Sequence, residues 1–155
     1  MPRCNWKQWD SRSSEALQRT PDALPPEPPA QAIVALVPTD APDYRFLLSA
    51  TVSWRRLVGA THADPGAAAR AAIIDRAAAL TKGITPADAH MAQERLAAAL
   101  GCSQPDSERQ VNAWASGVTV DLPDGDADRV RALTDLRKDS EIWERKRDHE
   151  CVAEQ

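Results

Sequence analysis

At 155 residues and 16.9 kDa the chain has the length of one ordinary domain with tails. Of its 43% apolar residues, 28 are Ala, while Leu, Ile, Val and Phe together number 27. So small a supply would mean disorder under a large net charge, but 23 acidic against 19 basic residues leave only −4, and partial order is expected. The acidic balance, with a pI near 5.4, argues against a nucleic-acid partner, whose phosphates need clustered Lys and Arg.

No apolar run approaches the length that crosses a bilayer, and Met1-Pro2-Arg3-Cys4-Asn5-Trp6 lacks the apolar stretch of a secretion signal, so a cytoplasmic location is expected. Cys4, Cys102 and Cys151 are an odd, widely spaced set, which fits reduced thiols.

Residues 1–30 read as a flexible tail. Pro21, Pro25, Pro26, Pro28 and Pro29 crowd nine positions, and only Trp6, Trp9, Leu17 and Leu24 offer large apolar surface. Fixing such a segment costs roughly 30 to 60 kcal/mol of backbone entropy, against roughly 6 to 12 returned by burying four side chains. The Pro25–Pro29 segment favours polyproline II, as a stiff spacer or as a ligand for an aromatic groove.

From residue 31 the pattern changes to period two. Ala32–Val37 form a short apolar run ending at Pro38. Tyr44, Phe46, Leu48, Ala50, Val52 and Trp54 then share one face of a strand, with Arg45, Ser49, Thr51, Ser53 and Arg55 on the other; Pro38 and Pro42 suit a hairpin turn between the two. Asp64-Pro65-Gly66 opens a helix over Ala67–Thr81, with Ile73, Ala77 and Leu80 as its apolar stripe and Gly83 as its stop. Thr85, Pro86 and Asp88 start a second helix, capping-box fashion, with Ala89, Ala92, Leu96, Ala99 and Leu100 on its apolar side before Gly101. Both helices are Ala-rich and must pack on something to persist. A further strand over 110–122 is expected to face its core with Trp114, Val118, Val120 and Leu122, with Ser116-Gly117 as a bulge or bend. Trp54 and Trp114 are both expected in the core.

The segment 126–150 predicts a long charged helix with acids at its start and Arg145, Lys146 and Arg147 near its end, as the macrodipole favours. Val130, Leu133, Leu136, Ser140 and Trp143 advance by three or four residues along one narrow seam. A strip of that width can dock on the domain, or pair with a second copy or another protein. Val130, Leu133, Leu136 and Trp143 are therefore the candidate partner-binding residues.

Chemistry-bearing patterns are weak. Asp124-Gly125-Asp126-Ala127-Asp128 has the alternate acids of a calcium loop, but Arg129 stands in the glycine place and Asp135 in that of the final Glu, so helix capping is the better reading. His62, His90 and His149 are scattered, and His149 with Cys151 is the closest metal-like pair, so no metal site is expected. Cys102 reads as a small packed side chain. No residues are spaced as a nucleophile with its base, nor as a phosphate loop, so no catalytic residue, cofactor or small-molecule substrate is expected.

The order of strand Tyr44–Arg55, the Asp64-Pro65 step with its helices, strand Ser116-Gly117-Val118-Thr119-Val120-Asp121-Leu122 and long helix resembles the SPFH or band 7 family, which includes the stomatins and prohibitins. The resemblance spans about residues 32–150 and implies a non-catalytic module that oligomerises and organises partners, often at a membrane. The family's hydrophobic anchor and longer coiled coil are missing from this stretch of sequence. The expected architecture is α+β: residues 1–30 a tail, 31–125 a small antiparallel or mixed sheet packed by two Ala-rich helices, 126–155 a charged interaction helix and frayed end. The function expected is that of a non-catalytic interaction or scaffold protein, with self-association or a protein partner engaged through the C-terminal helix; peripheral membrane contact stays open. The alternative is a small enzyme or ligand-binding domain with a pocket between sheet and helices.

Overall fold

A computed structural model describes residues 26–153, with side chains through 151; most of the expected tail therefore lies outside the described residues. The fold is α+β. Four strands, β1 (Ala30–Pro38), β2 (Arg45–Arg56), β3 (Gln104–Pro105) and β4 (Val111–Asp121), form an antiparallel sheet in the order β1-β2-β4-β3. Helices α1 (Pro65–Thr81) and α2 (Ala89–Leu100) cover one face, and α3 (Asp126–Ala153) follows β4.

The hairpin β1–β2 forms as the period-two pattern requires, with Val37 opposite Phe46 and Ile33 opposite Ala50 on the helix-covered side. Thr39 organises its turn: the buried hydroxyl donates to the Tyr44 carbonyl (3.0 Å) and accepts from the Ala41 N–H (3.1 Å). At the start of α1 the Asp64 carboxylate accepts from the Ala67 N–H at 3.0 Å, with Pro65 in the first turn where no donor is needed. At α2 the expected capping box is replaced. Thr85 donates its hydroxyl to the Asp88 carboxylate (3.0 Å), and a 3-10 turn, Pro86–Asp88, precedes the helix.

The core is built by small side chains that let the helices come close. Ala69, Ile73 and Ala77 of α1 and Ala92, Leu96 and Leu100 of α2 are fully buried against Phe46, Leu48, Val52, Val111 and Ala113. The α1 stripe runs through Thr81, whose hydroxyl donates to Ala77 O (3.1 Å), and not through Leu80, which is exposed. With Ala on nearly every side of the helix, Leu80 alone cannot decide its rotation. Trp54 is half-buried rather than core: its ring lies over Gly66, where a Cβ would stand 3.0 Å from Trp54 Cζ2.

The strand β4 corrects a second expectation. Opposite β2 its register slips between Ser49/Thr119 and Thr51/Ser116, and the extra residue is accommodated at Gly117, whose φ is +59°. The slip reverses the phase. Val118 and Val120 face the helices as expected, but before the bulge it is Val111, Ala113 and Ala115 that do so, and half-buried Trp114 stands on the opposite face across from Ser53.

Arg76 ties α1 to both strands beside it. Its guanidinium donates to Gln104 O (2.9 Å) on β3 and Ala113 O (3.2 Å) on β4; burial lowers its pKa, while the nearby Asp106 charge acts the other way. Arg76→Ala should lower stability in urea unfolding by about 1–3 kcal/mol, and Lys, lacking the two-pronged fork, should recover less than half. Gly117→Val should cost about 1–2 kcal/mol, all of it backbone, because no atom lies within 4 Å of a Cβ built there; Gly117→Asn should cost distinctly less.

Candidate functional site

The 28 residues of α3 span about 42 Å at 1.5 Å per residue. The domain holds only their root. Val130 is buried, 8% exposed, where α3 meets the 3-10 turn Pro86–Asp88, and half-buried Thr134 donates its hydroxyl to Val130 O at 2.8 Å. From Asp135 to Cys151 every side chain is exposed.

The four candidate residues thus divide. At about 100° per residue, Leu133, Leu136, Ser140 and Trp143 fall within an arc of about 80°, and Val130 lies about 100° from its middle. Val130 anchors the helix; Leu133 (55% exposed), Leu136 (65%) and Trp143 (69%) form a seam facing solvent. Lys146 Nζ sits 5.6 Å from the Trp143 ring centroid, and Arg137 pairs with Glu141 at 3.6 Å one turn along. Exposed pairs of this kind add tenths of a kcal/mol each, too little to hold a projecting helix whose apolar seam is in water.

The space between sheet and helices is filled. Phe46, Leu48, Ile73, Leu96 and Leu100 close it, and among the described residues no buried side-chain N or O lacks a partner. Among the described residues, clefts open outside it, two of which bear on the reading. One, of about 560 Å³, runs between the first half of α1 and the β3–β4 loop and carries His62, Asp75, Arg76, Asp106 and Glu108. Several of its polar groups already serve the loops. Asp106 Oδ1 accepts from the Gln110 and Val111 N–H groups (2.6 and 3.1 Å), His62 Nδ1 accepts from the Asp64 N–H (3.1 Å), and Arg76 holds the two carbonyls described above. The other cleft, of about 390 Å³, is where the prolines Pro26, Pro28 and Pro29 run beside Trp54, Arg56 and Pro65.

Among the described residues no three His, Cys, Asp or Glu side chains gather as metal ligands. Half-buried Cys102 has its sulfur 3.7 Å from Ala98 O at the end of α2, and Cys151 is free and exposed. No described helix is long and apolar enough to cross a membrane.

Among the described residues one sheet face carries no helix, and it was not singled out by sequence. Val34 (69% exposed) and Leu36 (51%) lie there on β1, beside half-buried Leu47, Ser49 and Thr51 of β2. The two sheet edges also differ. Along β4 the outer edge is occupied: β3 pairs with it, and Gln93 of α2 accepts from the Val120 N–H at 3.1 Å. Along β1 the outer edge is bare among the described residues, where β1 pairs with β2 alone.

No family model, curated protein or solved structure matches the chain.

Proposed function

We propose that the chain is a non-catalytic interaction or scaffold protein that associates with its own kind through α3. The observation that carries this reading is the root-only attachment of α3: a 28-residue helix keeps one residue, Val130, in the domain and presents Leu133, Leu136 and Trp143 to solvent. An amphipathic seam left in water gains its stability from a second helix.

The direction of pairing follows from the seam. With Leu133 and Leu136 at the seam positions of a heptad, a parallel pair sets leucine on leucine at both and Trp143 on Trp143, with Asp139 against Glu144 of the mate. Run antiparallel about the Ser140–Trp143 turn, the same helix sets Asp139 beside Lys146 and Arg137 beside Glu144, but Leu136 and Leu133 then fall against Arg147 and Glu150. Exposed ion pairs add only tenths of a kcal/mol, so the parallel pair, which keeps the apolar seam, is the one we propose.

The resemblance to the SPFH or band 7 family belongs to the same reading. It is supported by the order of elements, with the Asp64-capped helix after the long strand and a long charged helix after β4. A cytoplasmic location is part of the same reading. Fractionation decides the matter.

The alternative, a pocket between sheet and helices, is disfavoured by the filled interface there. The test is the mass of the intact chain by light scattering over a concentration series. Trp143→Ala and Leu136→Glu should raise the α3 dissociation constant by tenfold or more while shifting urea midpoints by less than about 0.5 kcal/mol, because both side chains are exposed in the single copy. Equal mass for wild type and variants at every concentration would remove the reading.

A further inference from the structure

The outer edge of β1 is built to pair with the β1 of a second copy: we propose that two chains join antiparallel about a twofold axis at Val34, fusing two four-stranded sheets into one. This interface is separate from α3 and does not rest on it.

The direction of the backbone groups comes first. Trp54 N–H donates to Pro29 O at 3.3 Å across the ladder, so Gln31, Ile33, Ala35 and Val37 exchange bonds with β2, and Ala30, Ala32, Val34 and Leu36 turn theirs outward. The β2–β4 ladder agrees, with Leu57 N–H donating to Gln110 O at 2.9 Å and the odd residues of β2 facing β4. Among the described residues nothing accepts from or donates to the outward groups of β1.

Native sheets blunt their edges with short strands, charges or covering elements. The β4 edge is treated in that way, with a two-residue β3, Pro105 and the Gln93 side chain. The nine residues of β1, Ala-Gln-Ala-Ile-Val-Ala-Leu-Val-Pro, include no charge, and their single proline closes the end. An edge of unspent N–H and C=O groups is completed by another extended strand.

The side chains identify that strand as a copy of β1. A twofold at Val34 sets Val34 on Val34, with Ala32 opposite Leu36 on both flanks of the open face. On the helix-covered face Ile33 meets Ala35, and Gln31 meets Val37. Small meets large on each flank, the centre is a β-branched pair, and no like charges oppose each other. Other registers lose this fit. A twofold at Ala32 runs Leu36 onto Pro28, and one at Leu36 brings Asp40 onto Ala32.

The test uses the full chain carrying Leu136→Glu and Trp143→Glu, so that pairing through α3 does not enter the readout. Sedimentation equilibrium over a concentration series should find this chain as a dimer. Adding Val34→Lys or Val34→Glu should raise the dissociation constant by about tenfold or more, since each places like charges together at the axis. An equimolar mixture of the two should restore the dimer, because opposite charges then meet there. Val34 is exposed in the single copy, so both variants should keep the parent's circular dichroism and thermal midpoint; if one does not, a chain with Ala32→Lys and Leu36→Lys, mixed with one carrying Ala32→Glu and Leu36→Glu, takes its place, since these two exposed residues face each other across the axis. A monomeric parent, a Val34→Lys chain that dimerises as the parent does, or a mixture no tighter than its components would each overturn the proposal. A monomeric parent beside a dimeric wild type would leave the α3 reading standing, and a parent as large as wild type would remove α3 while leaving β1.

Discussion

The structure depends on a shortage of large apolar side chains. Of the 27 Leu, Ile, Val and Phe residues in 155, twelve make up the buried core, a single layer between one face of the sheet and its helices. Ala makes up the difference. At Ala69, Ala77 and Ala92 a bare methyl at the contact lets two helices approach β1, β2 and β4 closely enough for Phe46, Leu48 and Ile73 to fill the gap completely. Among the described residues nothing of comparable size covers the second sheet face, the β1 edge or the outer part of α3. These three surfaces are a single consequence of composition.

Polar groups finish what the apolar ones cannot. Arg76 reaches across from α1 to the carbonyls of two strands, Gln93 closes an N–H on β4, and Asp106 gathers the amides of the β3–β4 loop. All of these lie on the β4 side of the sheet or the loop leading to it. On the β1 side Arg70 donates to Gln31, a tie between two side chains that does not touch the strand's outer backbone. The sheet is therefore finished at one edge and unfinished at the other, an asymmetry of hydrogen bonding more than of hydrophobicity.

The legible parts of the sequence were those where a local signal has a single structural solution. Asp64-Pro65 opens a helix because its carboxylate can reach an orphan amide, and the alternation through Phe46, Leu48, Ala50 and Val52 suits a half-buried strand and no helix. What escaped had a non-local cause. Trp114 changes face because Gly117 adds a residue to the ladder, and a bulge inverts every side chain on one side of it. Leu80 turned outward because an alanine-rich helix has no strong stripe to fix its rotation. Val130 fell in step with Leu133 by spacing, yet the position of the 3-10 turn decides that it is buried. The bare edge of β1 was invisible because an edge exists only once neighbouring strands have been placed; its lack of charge was in plain view.

The placement of the two surfaces limits what they can build together. The root of α3 lies at the hairpin end of the sheet: β4 finishes at Asp121 beside Leu47, and Asp40 in the hairpin turn donates to Ile84 O at 3.0 Å near the 3-10 turn that holds Val130. An antiparallel β1 pair turns the mate end for end, so the two hairpins, and with them the two α3 roots, stand at opposite ends of the joined sheet. A mate that completes β1 is thereby turned away from the neighbouring α3, whose seam is left for a third copy. Two self-complementary patches about different axes carry assembly beyond the dimer, into a closed dihedral ring where the axes meet and an open array where they do not. In either geometry, losing one patch reduces the assembly to pairs.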